Sequence, residues 1–303
     1  MAISRSQLVK ELEPGLNALF GLEYKRYENQ HAEIYTDESS DRAFEEEVML
    51  SGFGNAQVKG EGAGVSFDDA QETFTARYTH ETVALAFAIT EEAIEANLYD
   101  RLAARYTKAL ARSMSNAKQV KSVEPLINGL PSTDKFDSGD GVSLFNTAHP
   151  TINGTFKNTL TVQADLNETS LEQSMIDIAI MTDERGLRIA ARGLKMIIPS
   201  ELQFTAERLM NSQGRTGTAD NDINAIVSMG MVPQGYRINN YLTDSDAFYI
   251  ITDVPNGMKM FTRAPLTTAM EGDFDTGNVR YIARERYSFG VSDPRGIFGV
   301  EGA

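Results

Sequence analysis

The sequence is distinguished first by what it lacks, because its 303 residues include no cysteine, no tryptophan and only three histidines. Without cysteine the chain can form no disulfides, thiolate metal sites, iron–sulfur clusters or cysteine nucleophiles. No apolar run approaches the ~20 residues of a membrane-spanning helix. The first residues also lack the apolar stretch of a secretory signal. These absences favour an intracellular protein with an ordinary hydrophobic core.

Motifs of catalysis are missing as well. The sequence contains no nucleophile elbow, no Walker loop and no zinc-binding His-Glu-x-x-His. His31, His80 and His149 fall in different predicted elements, and we interpret each as a surface or hydrogen-bonding residue rather than a general base. We therefore expect a protein that is not an enzyme and that uses no metal and no cofactor. A cytosolic enzyme that works only with carboxylates, lysine and arginine is the alternative from another class.

The charge of the chain is strongly acidic and unevenly distributed. The formal net charge is -15, and residues 1–89 alone carry -9. Binding to nucleic-acid phosphates is largely neutralisation by lysine and arginine, so this balance argues against a protein that wraps nucleic acid.

The N-terminal quarter contains two segments that cannot be stable alone. Residues 1–35 predict a short helix, interrupted by Pro14-Gly15, whose apolar residues recur at helical spacing: Leu8, Leu12, Leu16, Leu19 and Phe20. Residues 36–78 predict a long acidic hairpin that turns at Gly60–Gly64 and has few large apolar residues. An isolated two-stranded hairpin is marginal in water, so this segment is either disordered or rests on another surface.

A strand and a very long helix follow the hairpin. Large residues alternate with alanines over 79–89, which is typical of a strand beneath a helix. Thr90 is a good N-cap, and the predicted helix continues to Lys121, a length of about 48 Å at ~1.5 Å per residue. Its apolar stripe runs through these residues: Ile94, Leu98, Leu102, Tyr106, Ala109/Leu110, Ser113/Met114 and Ala117.

The remaining sequence alternates helices and strands and then becomes mostly strand. Helices are predicted at 168–185, 200–211 and 221–229, with a buried strand at 193–199 between the first two. From Asn256 onward, alternating residues predict strands. The expected class is therefore α+β, with an α/β lobe in the middle third.

Four stretches, taken in order along the chain, resemble the major capsid proteins of tailed bacteriophages with the Hong Kong 97-like fold, the Mu-like subunits in particular. They are Lys59–Gly62 through Ser66–Ala70, Phe87–Glu95 with Leu98-Tyr99, Leu144–Pro150, and Gly290–Gly299 with Asp293-Pro294-Arg295-Gly296. Each stretch alone is weak, whereas their order over most of the chain is fairly specific.

The resemblance implies a division of the chain. Residues 1–35 would form the N-arm, and 36–82 the extended loop that overlaps a neighbouring subunit. Residues 83–125 would belong to the peripheral domain, with a spine helix at 90–122. Residues 126–255 would form the axial domain, and 256–303 the C-terminal strands of the peripheral domain.

The resemblance also implies partners and contacts. The chain would assemble with itself into the pentamers and hexamers of an icosahedral shell, enclose double-stranded DNA without reading its sequence, and form part of a virion assembled in the bacterial cytoplasm. Because the arm begins close to Met1, we expect a separate scaffolding protein. The other expected partners are a portal and, optionally, a decoration protein. An encapsulin-like nanocompartment shell is the alternative within this fold.

The predicted inter-subunit contacts belong to two sets. One set lies in the extended loop, and the other consists of bases of the long helix that would meet the acids of the loop across the contact. They are Phe53, Lys59, Glu61, Phe67, Asp68, Asp69, Arg101, Arg105 and Lys108, with Arg112 as a further base. Some family members cross-link a lysine of this loop to an asparagine of a neighbour. Lys59 occupies a suggestive place, but no asparagine partner can be assigned and no cross-link is predicted.

Overall fold

The computed structural model describes residues 5–90, 99–133, 135–214, 223–272 and 277–303, with the backbone alone at 5–12 and 99–102. Its helices are α1 (Arg5–Tyr24), α2 (Tyr99–Asn128), α3 (Glu168–Ala179), α4 (Gln203–Asn211) and α5 (Ala225–Met229). Its strands are β1 (Thr36–Ser39), β2 (Phe44–Leu50), β3 (Glu72–Thr79), β4 (Glu81–Ile89), β5 (His149–Thr151), β6 (Gly154–Phe156), β7 (Gly193–Ile198), β8 (Tyr236–Ile238), β9 (Phe248–Thr252), β10 (Met258–Gly272), β11 (Val279–Val291) and β12 (Ile297–Val300).

A four-stranded sheet, which we call the main sheet, carries the two long helices. Its strand order is β1-β10-β11-β4, with β1 parallel to β10 and the other pairs antiparallel. Alternate residues of β11 turn toward the helices, where Tyr281 and Ala283 are buried against Leu110 and Met114 of α2. Phe20 of α1 completes this core. The N-terminal segment is therefore a continuous helix through Pro14, docked on α2 and the sheet of its own chain.

The long helix differs from its prediction in its buried face and in its end. Leu110 and Met114 are buried as predicted, but Tyr106 is 50% exposed, and Thr107 is buried in its place. The predicted stripe followed large apolar residues, whereas the buried face also includes polar ones, Thr107 and also Gln119, which bonds to His31. The predicted start lies mostly in residues 91–98, outside the described residues.

The helix also continues past Pro125 to Asn128. Val123 and Leu126 are both buried there, and this burial offsets the backbone hydrogen bond that proline removes. The helix ends at Asn128, and an added Cβ on the following Gly129 would come within 2.5 Å of Leu144.

The second sheet lies in the middle of the chain, with strand order β12-β9-β7-β8. Its core packs Leu171, Ile178, Ile198 and Phe248 with helices α3 to α5. Strand β12, from the C-terminal segment, pairs with β9. A further buried cluster, which includes Tyr35, Leu126, Phe145, Tyr249 and Tyr287, joins this sheet to the main sheet.

Two helices of this region are shorter than predicted. The helix expected at 168–185 begins after Asn167, whose side chain accepts from the Ser170 N–H in a capping box, and it ends at Ala179. A tight turn closed by the Thr182–Arg188 bridge follows it. The helix expected at 221–229 begins only at Ala225, because the side chain of Asn224 caps it by accepting from the N–H groups of Ile226 and Val227. Residues 221–222 lie outside the described part.

Strands β2 and β3 form a hairpin over 44–79 and pair only with each other. The prediction began this hairpin at residue 36, but residues 36–39 form β1, which pairs with β10 of the main sheet. The register of β2 and β3 runs from Phe44–Thr79 to Leu50–Glu72. Beyond Leu50 the ladder ends, and the Ser51 N–H donates to the Gln71 carbonyl at 2.8 Å to close it. Residues 52–70, which we call the hairpin tip, form no strand and consist almost entirely of exposed residues.

Candidate functional site

The hairpin tip carries apolar side chains that the described residues of its own chain leave largely exposed. Phe53 is 63% exposed and Phe67 is 98% exposed, and Val58 and Val65 are exposed beside them. Lys59 and Glu61 are exposed at the turn. Exposed apolar residues grouped in this way, between acidic ones, are typical of a surface that contacts another protein. The predicted contact residues of this segment are therefore all accessible in the single subunit.

One point of the tip is fixed to the body of the subunit. Asp68 accepts a hydrogen bond of 2.6 Å from the Gly54 N–H on the opposite limb, and Arg185 lies 3.6 Å from its other oxygen. The Gly54 hydrogen bond is the main cause that lowers the pKa of Asp68, and the Arg185 charge adds to it. Arg185 also donates to the carbonyl of Asp69. Sequence reasoning missed Arg185, which lies 116 residues from its Asp69 partner.

The turn that carries Arg185 connects the tip to a buried ionic cluster. Asp183 accepts from the N–H groups of Arg185 and Leu187, which fixes the turn. Glu184 points inward and lies 2.5 Å from the guanidinium of Arg295. Two consecutive residues therefore face opposite ways, Glu184 toward the interior and Arg185 toward the hairpin tip.

Two of the predicted bases of the long helix, Arg105 and Lys108, are described, and the hairpin acids of the same chain form no ion pair with them. Arg105 and Lys108 are exposed, and neither forms an ion pair within the part of the chain that the structure describes. The side chain of Arg101 lies outside that part. The hairpin acids pair instead with other bases, Glu46 with Arg77 and Glu47 with Lys259. Contact between the hairpin and these helix bases in another subunit stays a prediction.

All three histidines are buried and hydrogen-bonded. The sequence led us to interpret each as either a surface residue or a hydrogen-bonding residue, and the structure shows the second. His80 lies between the hydroxyls of Ser40 and Ser288. The described residues contain no cluster of acidic and histidine side chains that could hold a metal ion. They also contain no helix with the length and apolar character that crossing a membrane requires.

His149 is the centre of a network that the sequence did not reveal. Its Nδ1 lies 2.6 Å from Asp140, and its Nε2 lies 2.9 Å from the side-chain oxygen of Asn158. The amide nitrogen of Asn158 donates to the carbonyls of Leu144 and Pro294. Burial alone would raise the pKa of Asp140, but hydrogen bonds from His149 and Ser138 lower it. The network ties the loop before β5 to the C-terminal segment, and it lies too deep to meet a substrate.

His31 gives the subunit a pH dependence that can be measured. Gln119 accepts from the His31 backbone N–H and donates to Nδ1 at 3.0 Å, so its amide holds the ring neutral. Burial, with the nearby Lys118 charge, lowers the pKa of His31 from 6.5 to about 4. Between these pH values the unfolded chain binds the extra proton, so stability present above pH 6.5 is lost as the pH falls toward 4.

We expect the free energy of unfolding to fall by about 2 kcal/mol more in the parent protein than in His31→Gln between pH 7 and pH 4.5. Urea unfolding of both proteins at the two pH values measures the difference. An equal fall in the two proteins would contradict this assignment.

The architecture is the Hong Kong 97-like fold, which the chain shares with several solved structures. The capsid of Myoviridae phage XM1 is similar over 89% of each chain, with a TM-score of 0.54 and 13% identity. Mycobacterium phage Adephagia is similar over 90% of this chain and 89% of its own, with a TM-score of 0.52 and 13% identity. A virus-like particle from Pyrococcus furiosus is similar over 94% and 98%, with a TM-score of 0.51 and 10% identity.

The phage capsid protein family matches residues 72–300, which is most of the chain. The chain therefore belongs to the phage capsid protein family, and its function is that of a major capsid protein, a structural shell subunit. No curated protein sequence matches it. The family match favours the phage shell over the nanocompartment alternative and points away from the enzyme.

Proposed function

We propose that copies of this chain build the head of a tailed bacteriophage, as pentamers and hexamers of an icosahedral shell that encloses double-stranded DNA. The observation that carries the proposal is the hairpin tip, whose exposed Phe53 and Phe67 have no core of their own. In the shell, the tip would lie on a neighbouring subunit, and the removal of its apolar surface from water would stabilise the contact.

We further propose the division into parts that the resemblance implies. The N-arm would be residues 1–35, the extended loop 36–82, the axial domain 126–255, and the peripheral domain 83–125 with 256–303. In support, α1 packs on α2, and the hairpin strands pair only with each other, although the base of the hairpin packs on the main sheet through Tyr78 and Phe261. Strand β1 pairs with β10 and β12 with β9, so both ends of the chain also contribute to the sheets of the body.

The acidic charge supports a shell that holds DNA without binding it tightly. With a net charge of -15, a subunit has little electrostatic attraction for phosphates, so the genome can enter and leave. The shell would be assembled in the cytoplasm of the bacterial host with a separate scaffolding protein and a portal, and a decoration protein would be an optional addition.

The experiment that tests this function is the size of the assembled protein. We expect the purified chain, alone or produced with the scaffolding protein, to form closed particles in electron micrographs. A chain that stays monomeric or forms only small oligomers under all these conditions would overturn the proposal. Particles that contain a protein cargo and no genome during infection would favour the nanocompartment alternative instead.

A further inference from the structure

A bulge in the main sheet brings two arginines opposite each other. Arg286 and Tyr287 are consecutive on β11, but their partners on β10 are Ala264 and Thr262. Arg263 is therefore an extra residue on β10, and together with Ala264 it opposes Arg286. Bulges commonly re-aim a side chain, and this one sets two positive charges side by side across neighbouring strands.

The two guanidinium groups have no counter-charge in the part of the chain that the structure describes. Both side chains are half-buried, and the Nε of each is buried with no hydrogen-bond partner. Neither arginine forms an ion pair with a described residue. Packing, and not hydrogen bonds of the chain, therefore holds both groups in place. Like charges directly opposite each other destabilise a sheet, so an anion that lies against both groups would lower this electrostatic cost.

The ring of His80 shows that both arginines lie on one side of the sheet. Burial is the main cause that lowers the pKa of His80, and the charges of Arg286 and Arg263 add to it. Both guanidinium groups therefore lie near this ring, which is held between the hydroxyls of Ser40 and Ser288. The groups around the two arginines are thus hydroxyls and an imidazole that is neutral at pH 7.

The acids on the adjoining hairpin strand already have other partners. The Ser40 hydroxyl donates to Glu45 at 2.7 Å, and Arg42 lies 3.9 Å from the other oxygen of Glu45. Glu47 lies 2.6 Å from Lys259. We therefore expect the counter-ion of the two arginines to come from solution.

We propose that Arg263 and Arg286 form a binding site for a small divalent oxyanion of the phosphate class. Each guanidinium can donate two parallel hydrogen bonds to such an anion, and two positive charges match its two negative ones. Thr82, the cross-strand partner of Arg286 on β4, supplies a hydroxyl beside the site. A nucleic-acid backbone fits less well, because each of its phosphates carries one charge and the chain has a net charge of -15.

The dependence of stability on inorganic phosphate tests the site in the full chain. Urea unfolding is measured at pH 7 with increasing phosphate, and chloride keeps the ionic strength constant. Phosphate also stabilises proteins by its exclusion from their surface, so variants are needed. Arg263→Gln and Arg286→Gln each remove one guanidinium of the site, and Arg105→Gln on the exposed face of α2 is the control with the same change of charge.

We expect the phosphate affinity derived from this dependence to fall at least about tenfold in both site variants and to stay unchanged in Arg105→Gln. Arg263→Lys keeps the charge but loses the planar fork, so its affinity should lie between those of the parent and Arg263→Gln. The same phosphate dependence in the parent and both site variants would overturn the proposal.

His80 provides a second measurement that needs no change to the arginines. The chain has only three histidines, so their ring signals can be followed by nuclear magnetic resonance, and His80→Gln assigns the signal of His80. A bound anion offsets the two positive charges, and we therefore expect phosphate to raise the pKa of His80 toward 6.5 and to leave His31 and His149 unchanged.

Two results of this measurement would contradict the proposal. One is a pKa of His80 that does not respond to phosphate. The other is a response to short duplex DNA that equals the response to phosphate at the same phosphate concentration, which would assign the site to nucleic acid. Neither measurement requires assembly, so failure of the chain to form particles would remove the proposed function and leave this site standing.

Discussion

A subunit that lacks residues 52–70 is expected to fold and to remain unassembled. The deletion, closed by two glycines, removes the hairpin tip but keeps the hydrogen bond between Ser51 and Gln71. The cores on both sheets contain no residue of this segment. Loss of the exposed rings therefore costs the subunit little, whereas the shell would lose the apolar contact of every subunit. Size-exclusion chromatography with light scattering measures assembly, and circular dichroism measures the fold.

A matched variant separates loss of the contact from loss of length. Phe53→Ser combined with Phe67→Ser keeps the tip and removes its two aromatic side chains. We expect this variant to unfold at the same urea concentration as the parent and to form particles at least about tenfold less readily, since each buried phenyl ring contributes 1.5–3 kcal/mol or so. Particle yield equal to the parent's, from either variant, would show that the tip is not the assembly contact.

Arg295→Met is expected to destabilise the folded subunit by about 3–5 kcal/mol, because it leaves buried carboxylates without their cation. Arg295 is 3% exposed and reaches Glu184 at 2.5 Å and Asp293 at 3.2 Å. It also donates to the Thr182 carbonyl and lies 4.1 Å from the centre of the Phe156 ring. Burial already raises the pKa of Asp293, although Arg295 opposes this effect. Urea unfolding at pH 7 measures the loss.

An exposed arginine provides the control. Arg237→Met removes a pair with Glu33 at 3.5 Å in which both side chains are substantially exposed, so we expect a loss of no more than about 1 kcal/mol. Adding Glu184→Gln to Arg295→Met removes one of the unpaired charges and is expected to recover part of the stability. Equal losses from Arg295→Met and Arg237→Met would contradict the role assigned to the cluster.

Those elements of the fold that are encoded by local alternation could be predicted from the sequence. Strands β4 and β11 alternate large and small or polar residues, because one face of each packs against helices. The long helix was predictable because residues 99–124 contain no proline or glycine. Its buried face was predictable only in part, since Thr107 is buried beside the predicted Leu110 and Met114. Gln119 is buried against His31, 88 residues away in the sequence.

The candidate site shows the same division. The hairpin tip was predictable because it combines acidic residues, glycines and apolar residues in excess of what a hairpin can bury. Its attachment at Arg185 was not predictable, and neither was the pairing of β1 with β10, whose register joins Thr36 to Lys259. Contacts over such separations leave no periodic signal. The His149 network is more local, and the turn residues at Asp140-Gly141 were the only hint of it.

The adjacency of Glu184 and Arg185 has a consequence for how variants of this protein will behave. Because Glu184 pairs with Arg295 and Arg185 with Asp68, we expect a substitution that loosens Glu184 to displace Arg185 as well and to disturb the anchor of the hairpin tip. If the tip docks on a neighbouring subunit as proposed, folding and docking are thermodynamically linked, and a neighbour that binds the tip would stabilise the lobe behind it. We expect a genetic screen of residues 182–188 to return temperature-sensitive variants whose defects are suppressed at high subunit concentration.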